Sequence, residues 1–119
     1  MKSDFEYLGY ILAEIAFLEK ALKGLSEDSF LASEILKRAT ARSLEIIGEA
    51  VKTLSSGLKS KNPEIPWRLI AGTRDKLIHG YFIVDYKIVW DAATNKLPAI
   101  KSQLKDIRLK EKDIFQEGL

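Results

Sequence analysis

Apolar side chains recur at steps of three and four along almost the whole chain. Phe5, Leu8, Ile11, Leu12, Ile15, Leu18 and Leu22 predict an amphipathic helix over 4–23 that ends near Gly24. Ser26 or Asp28 supplies a cap for a second, longer stripe (Leu31, Ile35, Ala39, Ile46, Ala50, Leu54) that runs to about Gly57. Residues 57–65 are polar, contain Pro63 and read as a connection. A third helix starts at Pro66, where a missing N–H costs nothing, and runs to Ile78 or His79. Gly80 can take the left-handed backbone that closes it. Tyr81–Val84 is a short extended connector, and Asp85 caps a fourth helix carrying Tyr86, Val89, Trp90, Ala93, Leu97, Ile100 and Leu104 on one face. Pro98 predicts a kink or a split in it, and residues 109–119 a frayed tail or short turn. No segment alternates as a half-buried strand does. The expected architecture is all-α, an up-and-down bundle of four main helices.

The 119 residues fit one domain, 1–119, with a core over about 4–107 and a tail at 108–119. Hydrophobic residues at 46% and charged residues at 30% exclude a disordered or low-complexity chain. No cysteine is present, which removes disulfides, thiolate metal sites and a cysteine nucleophile. Runs such as Ile11-Leu12-Ala13 and Phe82-Ile83-Val84 are too short to span a bilayer, so no membrane partner is expected. Asp4 and Glu6 stand where a leader would carry basic residues, and the expectation is a cytoplasmic protein. Residues 1–35 carry a net charge of −4 and the remainder +6, a polarity that can draw an anionic ligand to one end. Apolar residues around the end of the third helix (Tyr81, Phe82 and Trp90), if exposed, favour a homodimer; ordinary intramolecular packing is the other reading of each.

The chemistry concentrates in residues 67–81. Trp67, Ile70, Ala71, Leu77 and Ile78 form the inward stripe of the third helix, and helical spacing places Arg74 in the middle of it. A guanidinium there must pair, reach an edge or face a cleft, because an unpaired buried charge is costly. A salt bridge to Glu45 or Glu49 on the second helix is the structural explanation. His79 is the single histidine, so imidazole acid–base chemistry uses this ring or adds a second from another subunit. Five residues separate it from Arg74, about 140° on a continuous helix, so both address one ligand only if the helix ends at His79. A helix C-terminus favours the protonated ring, which suits either a proton donor or a plain cap on the last carbonyls. One histidine with no cysteine gives too few metal ligands, no glycine-rich phosphate loop is present, and no serine triad is readable. Lys59, Lys61, Arg68 and Lys76 form a modest basic cluster.

Arg74-Asp75-Lys76-Leu77-Ile78-His79-Gly80-Tyr81 resembles the R-x-x-x-x-H-x-Y signature of HepT-type toxins in the HEPN superfamily. The likeness covers most of residues 5–105. It includes the segment Ala41–Ala50 with its Gly48-Glu49-Ala50 ending, Pro66-Trp67 before the motif, and Val84-Asp85 with Val89-Trp90 after it. The resemblance implies a metal-independent endoribonuclease that needs no cofactor and acts as the toxin of a toxin–antitoxin pair of type VII kind. Its cleft would lie between two protomers of a homodimer. Arg74 and His79 are then the catalytic residues, Asp75 supports them, and Lys76 and Arg68 are candidates for RNA contact. Tyr81 becomes the acceptor of AMP from a MntA-type nucleotidyltransferase antitoxin. The alternative is a non-catalytic HEPN-like module that binds nucleotide or docks the nucleotidyltransferase.

Overall fold

The computed structural model describes residues 2–79 and 84–117, with the backbone alone at 78–79 and 113–117. Seven α-helices are seen among these residues: α1 (Asp4–Ala21), α2 (Glu27–Leu31), α3 (Glu34–Thr53), α4 (Ser56–Lys61), α5 (Trp67–His79), α6 (Tyr86–Asp91) and α7 (Leu97–Glu117). A π-helical turn, Ala92–Lys96, joins the last two. The all-α bundle expected from periodicity is what forms, with α1, α3, α5 and α7 as its long members. α3 is central: it packs against α1 on one side and α5 on the other, and α1 in turn packs against α7. No helix among the described residues is long and apolar enough to cross a membrane.

Serine hydroxyls set most of the helix starts. Ser3 makes a reciprocal cap with Glu6, accepting from its amide at 3.2 Å while its own amide donates to Oε1 at 3.3 Å. Ser26, Ser33 and Ser55 each accept from the amide three residues on, at 3.1, 3.1 and 3.2 Å. α1 ends at Ala21, and in the turn beyond it Gly24 takes a φ of +75°, a left-handed conformation that a β-carbon would strain.

Those caps also explain where the chain departs from its hydrophobic pattern. The second stripe is not one helix from residue 26 to 57. Ser33 stops α2 and opens α3, with the Ala32 and Ser33 amides donating back to Asp28 and Phe30 carbonyls at 3.0 Å. The supposed polar connection 57–65 contains α4. The Asp4 carboxylate accepts from the Ser55 amide at 2.9 Å and from its hydroxyl at 2.5 Å, and Leu58 is buried beneath. The fourth helix is divided, as Pro98 predicts, and the turn that divides it contains Thr94, whose carbonyl has no amide at Pro98 to accept from. The irregularity lies just upstream, in the π turn, so that proline enters as the second residue of α7.

The expected frayed tail is helical to Glu117. Leu104 and Ile107 are buried, and Arg108 lies across α1 with Nε donating to the Phe5 carbonyl at 3.0 Å and its guanidinium 3.9 Å from the Phe5 ring centre. Of the two readings of Trp90, intramolecular packing holds: it lies partly buried against Phe30 with ring centres 5.1 Å apart. Tyr81 and Phe82, the other residues of that group, lie outside the described residues. The core gathers Leu8, Ile11, Ile15 and Leu18 of α1, Ile47 and Val51 of α3, Phe30, Leu58, Ile65 and Leu104.

Candidate functional site

α5 carries the motif, and its first turn is firmly seated. Trp67 is only 7% exposed, and its indole N–H donates to the Asn62 carbonyl at 2.9 Å. The Ile70 amide donates to the Pro66 carbonyl at 3.1 Å, which commits the first turn. Ile70, Ala71 and Leu77 then turn toward the core, as their spacing predicts.

Arg74 sits on this same face and would be stranded there but for α3. Gly48 of α3 is buried directly beside it: a β-carbon at Gly48 would overlap the Arg74 β-carbon and lie 3.2 Å from both the Arg74 amide and the Ile70 carbonyl. Absence of that one carbon lets the two helices approach closely enough for side chains to meet across them. Arg74 Nε reaches Glu49 Oε2 at 2.8 Å, and Nη1 donates to Asp75 Oδ1 at 2.9 Å. Of the two acids that the sequence offers, Glu49 is thus the partner, while Glu45 pairs with Arg42 at 3.2 Å. The Arg74 side chain is 24% exposed against 57% for Glu49. Nε is sealed from solvent, and its N–H is not aligned on the carboxylate, so the Glu49 contact is an ion pair rather than a hydrogen bond. Two carboxylates therefore orient one guanidinium, one from the side of Nε and one through Nη1.

The remaining predicted residues divide. Asp75 lies beside Arg74 as expected of a supporting residue. His79 lies within α5, whose described span is Trp67–His79; its ring, the expected closing turn at Gly80 and the whole of Tyr81 lie outside the described residues. Arg68 and Lys76 are exposed and are not brought beside Arg74: six and two residues away, they project about 120° and 160° from it around α5. Lys76 borders a different, largely apolar cavity of about 400 Å³ between α3, α5, α6 and α7. Lys59 and Lys61 are engaged structurally, Lys59 donating to the Val51 carbonyl at 3.3 Å and Lys61 lying 3.7 Å from Glu111. The basic cluster of the sequence is not one patch.

Sequence reading missed the surroundings of Arg74. A groove of about 360 Å³ opens between α1 and α3 and reaches Arg74 at one end; Tyr7, Tyr10, Arg42, Glu45, Glu49 and Thr53 contribute to its walls. A hint was available in α1, where Tyr7 and Tyr10 fall off the buried stripe of Leu8, Ile11 and Ile15.

The family model for ribonuclease HepT-like proteins matches residues 11–107. The chain is 47% identical over 112 residues to a protein of Caldanaerobacter subterraneus subsp. tengcongensis named "Putative RNase", with 94% of this chain and 100% of the relative covered. It is 37% identical over 107 residues to the "Probable ribonuclease HepT" of Thermococcus cleftensis, covering 90% of this chain and 97% of that one. A "Putative RNase" of Methanocaldococcus jannaschii is 42% identical over 95 residues, 76% of this chain and 78% of the relative. No solved structure matches the chain.

Proposed function

We propose, from the premise that this chain belongs to the HepT-like ribonuclease family of the HEPN superfamily, that it is a metal-independent endoribonuclease working as a homodimer. The observation that carries the reading is Arg74: a largely buried guanidinium, oriented by Glu49 and Asp75, on the helix that also carries His79. Maintaining such a charge on an apolar face is expensive, and phosphate binding gives that expense a use.

One His79 per chain supplies one imidazole, whereas cleavage without a metal needs both a base and an acid. A two-fold axis beside the end of α5 resolves this, with one protomer's ring and its partner's sharing the two roles. The base takes the proton of the ribose 2′-hydroxyl, and that oxygen attacks the adjacent phosphorus. The bond from phosphorus to the 5′-oxygen breaks, and the acid protonates the leaving oxygen. The products are a 2′,3′-cyclic phosphate and a 5′-hydroxyl. The two Arg74 guanidiniums hold the pentacovalent phosphate, where charge accumulates.

The same reading makes the chain the toxin of a toxin–antitoxin pair. Tyr81, two residues past His79, is the acceptor of AMP from a nucleotidyltransferase antitoxin. A nucleotide attached there would exclude RNA by bulk and by negative charge.

Purified protein incubated with single-stranded RNA in excess EDTA is expected to leave 2′,3′-cyclic phosphate ends, and His79→Ala to abolish the cutting. Undiminished cleavage by His79→Ala ends this mechanism. A protein with unmodified Tyr81 that binds a nucleotidyltransferase tightly yet turns over no RNA is a docking module instead.

A further inference from the structure

The groove between α1 and α3 shares Arg74 and Glu49 with the mechanism above, while its other walls have no part in it. Its walls are of mixed character. Tyr7 and Tyr10 meet edge to face, with ring centres 6.0 Å apart and planes at 81°. Tyr10 is 41% exposed, and the ammonium of Lys2 lies over its ring at 4.8 Å. On the α3 side, Arg42, Glu45 and Glu49 follow at helical spacing, so that carboxylates stand between two guanidiniums. Each carboxylate touches its arginine through Oε2.

Such a surface does not suit a string of phosphates, which two carboxylates would repel. It suits a flat ring with N–H donors on its edge. Aromatic side chains stack on unpaired bases irrespective of sequence, and carboxylates accept from base N–H groups. Guanine presents a ring N–H and an exocyclic amine side by side, which match the two oxygens of one carboxylate. Uracil presents two carbonyls and a single N–H, and its carbonyls would face negative charge. The cavity's volume, about 360 Å³, lies at the small end of the range for ligand pockets, in keeping with a single nucleoside.

We infer that this groove is a base-recognition subsite for single-stranded RNA, taking the unpaired nucleotide next to the phosphate held by Arg74, with guanine favoured and uracil rejected. The inference rests on the ribonuclease reading for its register along the RNA.

The test uses the full chain and short single-stranded oligoribonucleotides that differ only in the base beside the cut. Tyr10→Ala is expected to raise KM about tenfold, with the larger part of the effect in KM rather than kcat, and Tyr10→Phe to restore binding. Glu45→Gln is expected to narrow a guanine-over-uracil preference of about tenfold or more. If the wild-type protein cuts RNA but Tyr10→Ala keeps its KM and its base preference, the subsite fails while the ribonuclease reading stands. If the wild-type protein cuts nothing, the ribonuclease reading fails. The subsite is then judged by fluorescence anisotropy with labelled guanine-rich and uracil-rich oligonucleotides, and equal affinities overturn it. Conversion of dimer to monomer by Tyr10→Ala in sedimentation assigns this face to contact between copies and also overturns it.

Discussion

Gly48 and Arg74 meet at a point where α3 and α5 have no room for one more carbon: a β-carbon on the glycine would occupy the space of the arginine's own. That contact sets how far Arg74 stands from Glu49, and hence where its guanidinium points.

Gly48→Ala is expected to force the helix pair apart, cost about 1–3 kcal/mol of unfolding free energy and lower RNA cleavage well beyond what that loss explains. Gly57→Ala is the control, because nothing lies within 4 Å of a β-carbon there. It should be neutral or stabilise by up to about 1 kcal/mol. Urea unfolding and cleavage assays on both variants decide the matter; wild-type stability and turnover in Gly48→Ala would show that the helices are not held by this contact.

Glu49→Gln and Arg74→Lys separate orientation from stability. The Glu49 side chain is more than half exposed at 57%, so loss of its charge is expected to cost under about 1 kcal/mol of stability. Cleavage should nevertheless fall about tenfold, because the guanidinium loses one of its two guides. Arg74→Lys keeps the charge but loses the planar fork, and a fall of about a hundredfold or more is expected. Full activity in the lysine variant would mean that Arg74 contributes charge alone.

Phe30 is fully buried at the junction of α2 with α6 and stacks obliquely on Trp90 at 5.1 Å. Phe30→Ala is expected to cost about 3–5 kcal/mol. Trp90 should also become wetter, shifting the emission of a protein with two tryptophans to longer wavelength. An unchanged spectrum together with an unchanged unfolding midpoint would place Trp90 elsewhere.

Arg108 ties the last helix to the first through the Phe5 carbonyl and ring. Arg108→Ala is expected to cost about 1–2 kcal/mol and to speed amide exchange selectively in residues 108–117. Exchange that is uniform along α7 before and after the substitution would show that the contact does not secure this segment.

Much of the scaffold was legible in order: α1, α3, α5 and α7 follow their apolar stripes because burial of one face is what makes a short helix persist. The finer boundaries were not legible from hydrophobicity. Ser33 and Ser55 end and begin helices by accepting one backbone amide each, a local event that leaves the apolar periodicity untouched. The helical course of α7 past Ile107 likewise goes with a contact to a distant residue, Arg108 with Phe5.

The linear order of residues was enough to place a guanidinium on an apolar helix face, and to require that Arg74 pair, reach an edge or face a cleft. Both follow from 3.6-residue periodicity and from the cost of a buried, unpaired charge. It could not choose between Glu45 and Glu49, or join Tyr7 and Tyr10 to the surroundings of Arg74. Those outcomes depend on how closely separate helices approach and on their rotation about their axes. Both are set by packing: by a missing β-carbon at Gly48, and by the large side chains of α1 that fill the core behind the groove.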